Sequence, residues 1–78
     1  MPRIKSIAGP YRFFFTSFDC NEPPRVHVER DSRTCKFWLD PLGLARNHGF
    51  SARELNAIRR IIQTHRISIM EAWHEHCG

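Results

Sequence analysis

The stretch RVHVERDSRTCKFWLD, Arg25 to Asp40, decides the fold. Its first arm sets Val26 and Val28 against Arg25, His27 and Glu29; its second sets Phe37 and Leu39 against Lys36, Trp38 and Asp40. That period of two is the mark of strands with one dry and one wet face. A two-residue turn at Ser32-Arg33 and a four-residue loop from Asp31 to Thr34 both give the same hairpin register. Val26 then faces Leu39 and Val28 faces Phe37, while Arg25 pairs with Asp40, His27 with Trp38 and Glu29 with Lys36. A three-residue loop would set the valines against the charged residues, so the hydrophobic pattern selects the former arrangement.

Upstream, Tyr11-Arg12-Phe13-Phe14-Phe15-Thr16-Ser17-Phe18 reads as a strand with both faces largely buried, and Ile4 to Ile7 as a short edge strand closed by Gly9-Pro10. Asp19 to Pro24 is a loop, because proline cannot donate to a ladder and holds off the next strand until Arg25. Residues 41–50 read as a connector. The helical part, 51–77, opens on a capping box: Ser51 as N-cap and Glu54 three residues on. Phe50 and Leu55 form the hydrophobic staple around it. Leu55, Ile58, Ile61, Ile62 and His65 share a face, with Arg53, Arg59 and Arg60 pointing away. Ile69, Met70, Trp73 and Cys77 continue the apolar stripe, and the looser pattern from Thr64 to Ser68 predicts a kink or a break. Strands followed by helices make an α+β domain. The expectation is a three- or four-stranded antiparallel sheet followed by one kinked or two C-terminal helices.

A chain of 78 residues holds one small core. It buries only about 60% of its unfolded surface, which makes help from a partner or from self-association useful. No apolar run is long enough for a membrane span and no signal-peptide layout is present, so the chain reads as soluble and cytoplasmic. The three cysteines, Cys20, Cys35 and Cys77, form an odd, widely spaced set without a CxxC pair. Reduced thiols are therefore expected rather than a disulfide framework. The formal charge of +4, carried mostly by arginine, suits an acidic or nucleic-acid partner as well as an ordinary solvated surface.

Six blocks in order, MPRI, YRFFF, NEPPRVHVER, KFWLDP, LARNHGFSARELNAI and EAWHEH, resemble a small bacterial domain-of-unknown-function family with the pattern MPxI, YRFFF, NEPPHxHVER, KFWLxP and GFSxxEL. The resemblance implies a toxin-like member of a two-gene toxin–antitoxin pair, acting on RNA or translation and held inactive by a small antitoxin-like protein encoded nearby. It departs from the family pattern at Arg25, which stands where the family has its first histidine. A paired-histidine role is thereby placed in question, whereas a role as a phosphate-binding cation suits arginine well.

The residues themselves point to the wet hairpin face. Metal-independent RNA cleavage needs a base for the 2′-hydroxyl, an acid for the leaving oxygen and cations for the developing charge. His27 and Glu29 are the candidate proton-transfer pair, Arg25 and Lys36 the phosphate holders, and Trp38 a base-stacking platform. The competing reading is a solvated sheet face with cross-strand ion pairs. Arg46 and His48, just before the helix start, are candidates for phosphate contact there, beside the simpler reading of Asn47 to Phe50 as a cap. Arg53, Arg59 and Arg60 (with Arg66) are either a solvated helix face or a surface for RNA or an acidic partner. No cofactor is expected. His74, His76 and Cys77 with Cys20 or Cys35 make a poor zinc set, because His76 points away from the side shared by His74 and Cys77. Cys35 reads as a packed thiol, and Trp73 as core.

Overall fold

The computed structural model describes residues 9–15, 19–21 and 23–77. The expected strand at Ile4 to Ile7 and residues 16–18 of the aromatic stretch lie outside them. The α+β expectation holds: four antiparallel strands, β1 Arg12–Phe14, β2 Arg25–Arg30, β3 Arg33–Leu39 and β4 Leu42–His48, precede helices α1 Ala52–Thr64 and α2 Arg66–Cys77. The strands lie in sheet order β1-β2-β3-β4, and a 3-10 turn at Asp19–Asn21 lies between β1 and β2.

The hairpin keeps its expected faces but not its expected pairs. Val26 faces Phe37 and Val28 faces Cys35, while Arg25 pairs with Trp38, His27 with Lys36 and Glu29 with Thr34. Each pair has moved by two residues, because the turn is Asp31-Ser32 rather than Ser32-Arg33. Asp31 takes φ 55°, a left-handed conformation that a short polar side chain tolerates and a two-residue hairpin requires. Hydrophobic pattern fixes only the parity of the pairing, so a slip of two leaves it satisfied.

The fourth strand is β4, in the segment read as a connector. It turns back from β3 through Asp40-Pro41, whose peptide bond is cis. Leu42 pairs with Leu39 and Leu44 with Phe37, but Arg46 pairs with Lys36 and His48 with Thr34. One residue, Ala45, is therefore unmatched, and the register shift falls between Lys36 and Phe37. Without that bulge, Leu42, Leu44, Arg46 and His48 would share one face; with it, the leucines stay on the dry side and the two basic residues cross to the wet side.

The dry face packs against the helices. Phe13, Phe15, Val26, Val28, Cys35, Phe37, Leu39, Phe50, Ile58, Ile62, Ile69 and Trp73 form one core, and Trp73 meets Phe15 edge to face with ring centroids 5.4 Å apart. Arg59, expected to point away, instead lies over the Phe37 ring at 5.6 Å. Position 59 falls four after Leu55 and three before Ile62, inside the apolar stripe, and its aliphatic stem makes that burial acceptable. The helical part breaks at His65, whose backbone N–H and Nδ1–H both donate to the Ile61 carbonyl at 3.0 Å. That is within the expected Thr64 to Ser68 window.

The corner from β4 into α1 is tightly specified. Asn47 Nδ2 donates to the Phe50 carbonyl at 3.0 Å, and the Phe50 N–H donates to Asn47 Oδ1 at 3.1 Å. Ser51 caps α1 as expected, its Oγ accepting from the Glu54 N–H at 3.2 Å. The Glu54 carboxylate is taken by Arg33 Nη1 at 2.6 Å, with Arg30 at 4.0 Å from its other oxygen, which has no hydrogen bond. Arg30 and Arg33 thus clamp the start of α1 to the hairpin tip, and Arg33 also covers the Phe50 ring at 5.6 Å. Gly49 lies under the same side chain: its φ is +101°, and a Cβ there would come within 2.9 Å of Arg33 Cγ.

The thiol expectation is corrected. Cys20 and Cys77 are joined in a disulfide, their Cα atoms 5.3 Å apart, and only Cys35 is free among the described cysteines. The two bridged residues are separated by 57 positions in sequence, and it is the packing of α2 across the sheet that brings them together.

Two outcomes follow from these features. Gly49→Ala strains the backbone and displaces Arg33, and should lower stability by at least about 1–2 kcal/mol, read as a fall in Tm of roughly 4 °C or more by thermal denaturation. Reducing the disulfide frees a loop whose closure contributes up to about 4 kcal/mol in the chain-entropy treatment. Chemical denaturation with and without a phosphine reductant should show a lower midpoint in the reduced protein.

Candidate functional site

The wet sheet face carries most of the residues singled out from sequence. Across its middle row run Phe14, His27, Lys36 and Arg46, each paired with the next across neighbouring strands. The adjoining row holds Arg12, Glu29, Thr34 and His48. Phe14, His27, Thr34, Lys36, Arg46 and His48 line one cleft of about 240 Å³, floored by Val28 and Cys35. Two imidazoles, an ammonium and a guanidinium therefore open onto one depression. Phe14 stacks on His27, ring centroids 5.3 Å apart and planes within 18°, which fixes the orientation of that imidazole.

Glu29 takes a different position from the one its spacing suggested. It is bound by Arg12 across β1 and β2, and the cleft wall nearest its row is furnished by Thr34 and His48. Arg25, read as a phosphate holder, is 7% exposed, its guanidinium carbon 5.7 Å from the Trp38 ring centroid. Lys36 Nζ lies 6.0 Å from the same ring centroid, so Trp38 has two cations near it, and it adjoins the cleft through Lys36 rather than lining it. Asp40, expected opposite Arg25, lies in the β3–β4 turn and meets Arg66 at 3.4 Å.

Arg53, Arg59 and Arg60 belong to the helical layer, on the other side of the sheet from His27. Arg53 and Arg60 are exposed there, and Arg59 is engaged with Phe37. Arg46 and His48 join the sheet face instead of the α1 start, where Ser51 Oγ accepts from the Glu54 N–H and Asn47 ties the preceding Phe50. The sequence did single out Arg46 and His48, but for the wrong neighbours; the bulge that redirects them leaves no mark readable beforehand. Phe14, treated only as strand core, is the residue that sequence reasoning missed. Its position between Phe13 and Phe15 concealed that it faces the opposite side.

Cys35 lies beneath this cleft and takes no part in its chemistry. Burial pushes its thiol up to about 12 from the ordinary 9.0, since the protein interior disfavours the thiolate.

The family model for a domain of unknown function, DUF4160, matches residues 11–74. The chain belongs to the DUF4160 family. No curated protein and no solved structure matches it. The DUF4160 match includes all four strands and α1, and hence the whole basic cleft. None of the helices in the described part of this DUF4160 chain is long and apolar enough to cross a membrane.

The raised Cys35 thiol has a direct readout. A thiol that titrates near 12 instead of 9.0 holds on the order of a thousandfold less thiolate than a solvated cysteine at the same mildly alkaline pH. An aromatic disulfide reagent at about pH 8 should therefore label Cys35 only when the protein is unfolded. Rapid labelling in the native state would mean that the cleft floor opens.

Proposed function

We propose that this chain acts on single-stranded RNA through the open sheet face, as the toxin-like member of a two-gene pair. The observation that carries the reading is the convergence of His27, Lys36, Arg46 and His48 on one cleft that Phe14 also lines, with the Trp38 ring 6.0 Å from Lys36 Nζ. A phosphodiester needs cations along its backbone, and its bases need flat faces to stack on. Lys36 and Arg46 supply the charge, Trp38 and Phe14 the faces. Gly43, paired with Trp38, leaves open space where a side chain would otherwise flank the indole.

For cleavage, the proton-transfer pair that suits the cleft is His27 with His48, since Glu29 is committed to Arg12. Imidazoles give and take protons near neutral pH. One would remove the 2′-hydroxyl proton, so that the 2′-oxygen attacks phosphorus and the 5′-oxygen leaves with a proton from the other. Lys36 and Arg46 would stabilise the extra charge on the phosphoryl oxygens. The occupied carboxylate also favours a second reading, a non-catalytic module that binds RNA or a small partner protein without cleaving. The exposed Arg53 and Arg60 on the helical layer suit an acidic antitoxin-like partner on the side away from the cleft.

Induced expression in a bacterial host separates these readings. Cleavage predicts growth arrest with RNA breakdown, relieved by His27→Ala and by His48→Ala at equal protein level, with Glu29→Gln largely active. Binding alone predicts intact RNA and an affinity for a single-stranded oligonucleotide that falls with salt, with Lys36→Ala making that slope shallower by about 0.7. Intact RNA together with no oligonucleotide binding by the purified protein would remove RNA from the proposal.

A further inference from the structure

We infer that Cys20, His76 and Cys77, once the disulfide is reduced, form a binding site for a thiophilic divalent cation such as Zn²⁺. The Sγ atoms of Cys20 and Cys77 and a ring nitrogen of His76 all lie within 4.8 Å of one another. A tetrahedral zinc ion with bonds of about 2.0–2.3 Å sets its donors roughly 3.5–3.8 Å apart. Breaking the S–S bond lets the sulfurs separate to ordinary nonbonded contact, which is close to that spacing, so side-chain rotation suffices to close the set. His74, favoured over His76 by helical spacing, is absent from the group. The 3-10 turn meets the very end of α2, where donors at adjacent helix positions reach one target even though they project about 100° apart.

Several surroundings suit the ion. The His76 ring lies against Phe15 with centroids 5.8 Å apart and planes within 18°, a packing contact that holds the imidazole in place, as supporting contacts around metal ligands do. The C-terminal end of α2 presents the negative pole of its dipole to a cation. Two thiolates and a neutral imidazole balance the charge of one Zn²⁺ and favour it over oxygen-seeking Mg²⁺ or Ca²⁺. Cys35, buried in the core, does not compete. The fourth tetrahedral position is left to water.

The chemistry balances in two steps. A phosphine takes oxygen from water and becomes its oxide, delivering two electrons and two protons that convert the disulfide into two thiols. Zn²⁺ then binds as the two thiols release their protons to solvent. The end of α2 is thus held to the 3-10 turn in either redox state, by a covalent bond when oxidised and by an ion when reduced.

The test is titration of the phosphine-reduced full-length chain with Co²⁺ under anaerobic conditions, followed by thiolate charge-transfer and ligand-field absorption, with Zn²⁺ as competitor. The expected result is about one Co²⁺ per chain, displaced by Zn²⁺, with the charge-transfer band abolished in Cys20→Ser and Cys77→Ser. Binding should weaken at least tenfold in His76→Gln and stay unchanged in Cys35→Ala and in His74→Gln. The oxidised protein should give no thiolate band. Should reduction unfold the chain, Zn²⁺ is expected to restore its folded circular-dichroism signal. Absence of the band with all thiols titratable, a band that survives in Cys20→Ser, or a reduced chain that Zn²⁺ does not refold would each overturn the assignment.

Discussion

Strand parity governs this molecule. The division of a single sheet into a face that packs on helices and a face open to solvent requires every strand to keep the same alternation as its neighbours. β1, β2 and β3 do so without interruption. β4 begins in phase, with Leu42 and Leu44 toward the helices, and would then carry Arg46 and His48 into the apolar layer. The unmatched Ala45 resets the phase. One extra residue keeps two basic side chains out of the core and sets them beside His27 and Lys36, so the same irregularity serves stability and assembles the cleft.

The second constraint is the attachment of the helical layer. Arg30 and Arg33 face the helices from the hairpin tip, and the carboxylate between them belongs to the first turn of α1. Partly exposed ion pairs of this sort contribute modestly, about 1 kcal/mol or less each. Their value here is directional. Arg33 also spans Gly49 and covers Phe50, while Asn47 ties the backbone of the same corner. The start of α1 is thereby set relative to β3, and Ile58, Ile62, Ile69 and Trp73 are delivered onto Phe13, Phe15, Phe37 and Leu39.

What could be read beforehand follows from the range over which each signal acts. The hairpin faces, the Ser51 cap and the break near His65 are local patterns, and the residues adjoining each were enough to place them. The pairing within the hairpin was not, because Asp31 and Ser32 compete as turn positions and parity does not choose between registers two apart. β4 was hidden because its seven residues, Leu-Gly-Leu-Ala-Arg-Asn-His, break alternation in the middle and contain no β-branched or aromatic residue. The disulfide was hidden for a different reason: the approach of Cys20 to Cys77 is a product of the completed packing. The candidate site was legible in kind, as basic and imidazole side chains near a tryptophan, but its membership exchanged Glu29 for His48 and Phe14 once the strands had been laid side by side.

The bridge from Cys20 to Cys77 also alters the connectivity of the chain. Between those residues lie β2, β3, β4, α1 and nearly all of α2, so most of the fold forms a covalent ring with β1 attached as a tail. A single backbone cut within that ring, for example at the exposed Asp31-Ser32 turn, leaves both pieces joined through sulfur. Such a nicked molecule stays in one piece under non-reducing conditions and separates into two only when the bridge is opened. Backbone continuity at the turn and covalent integrity of the domain are therefore separate properties in the oxidised protein.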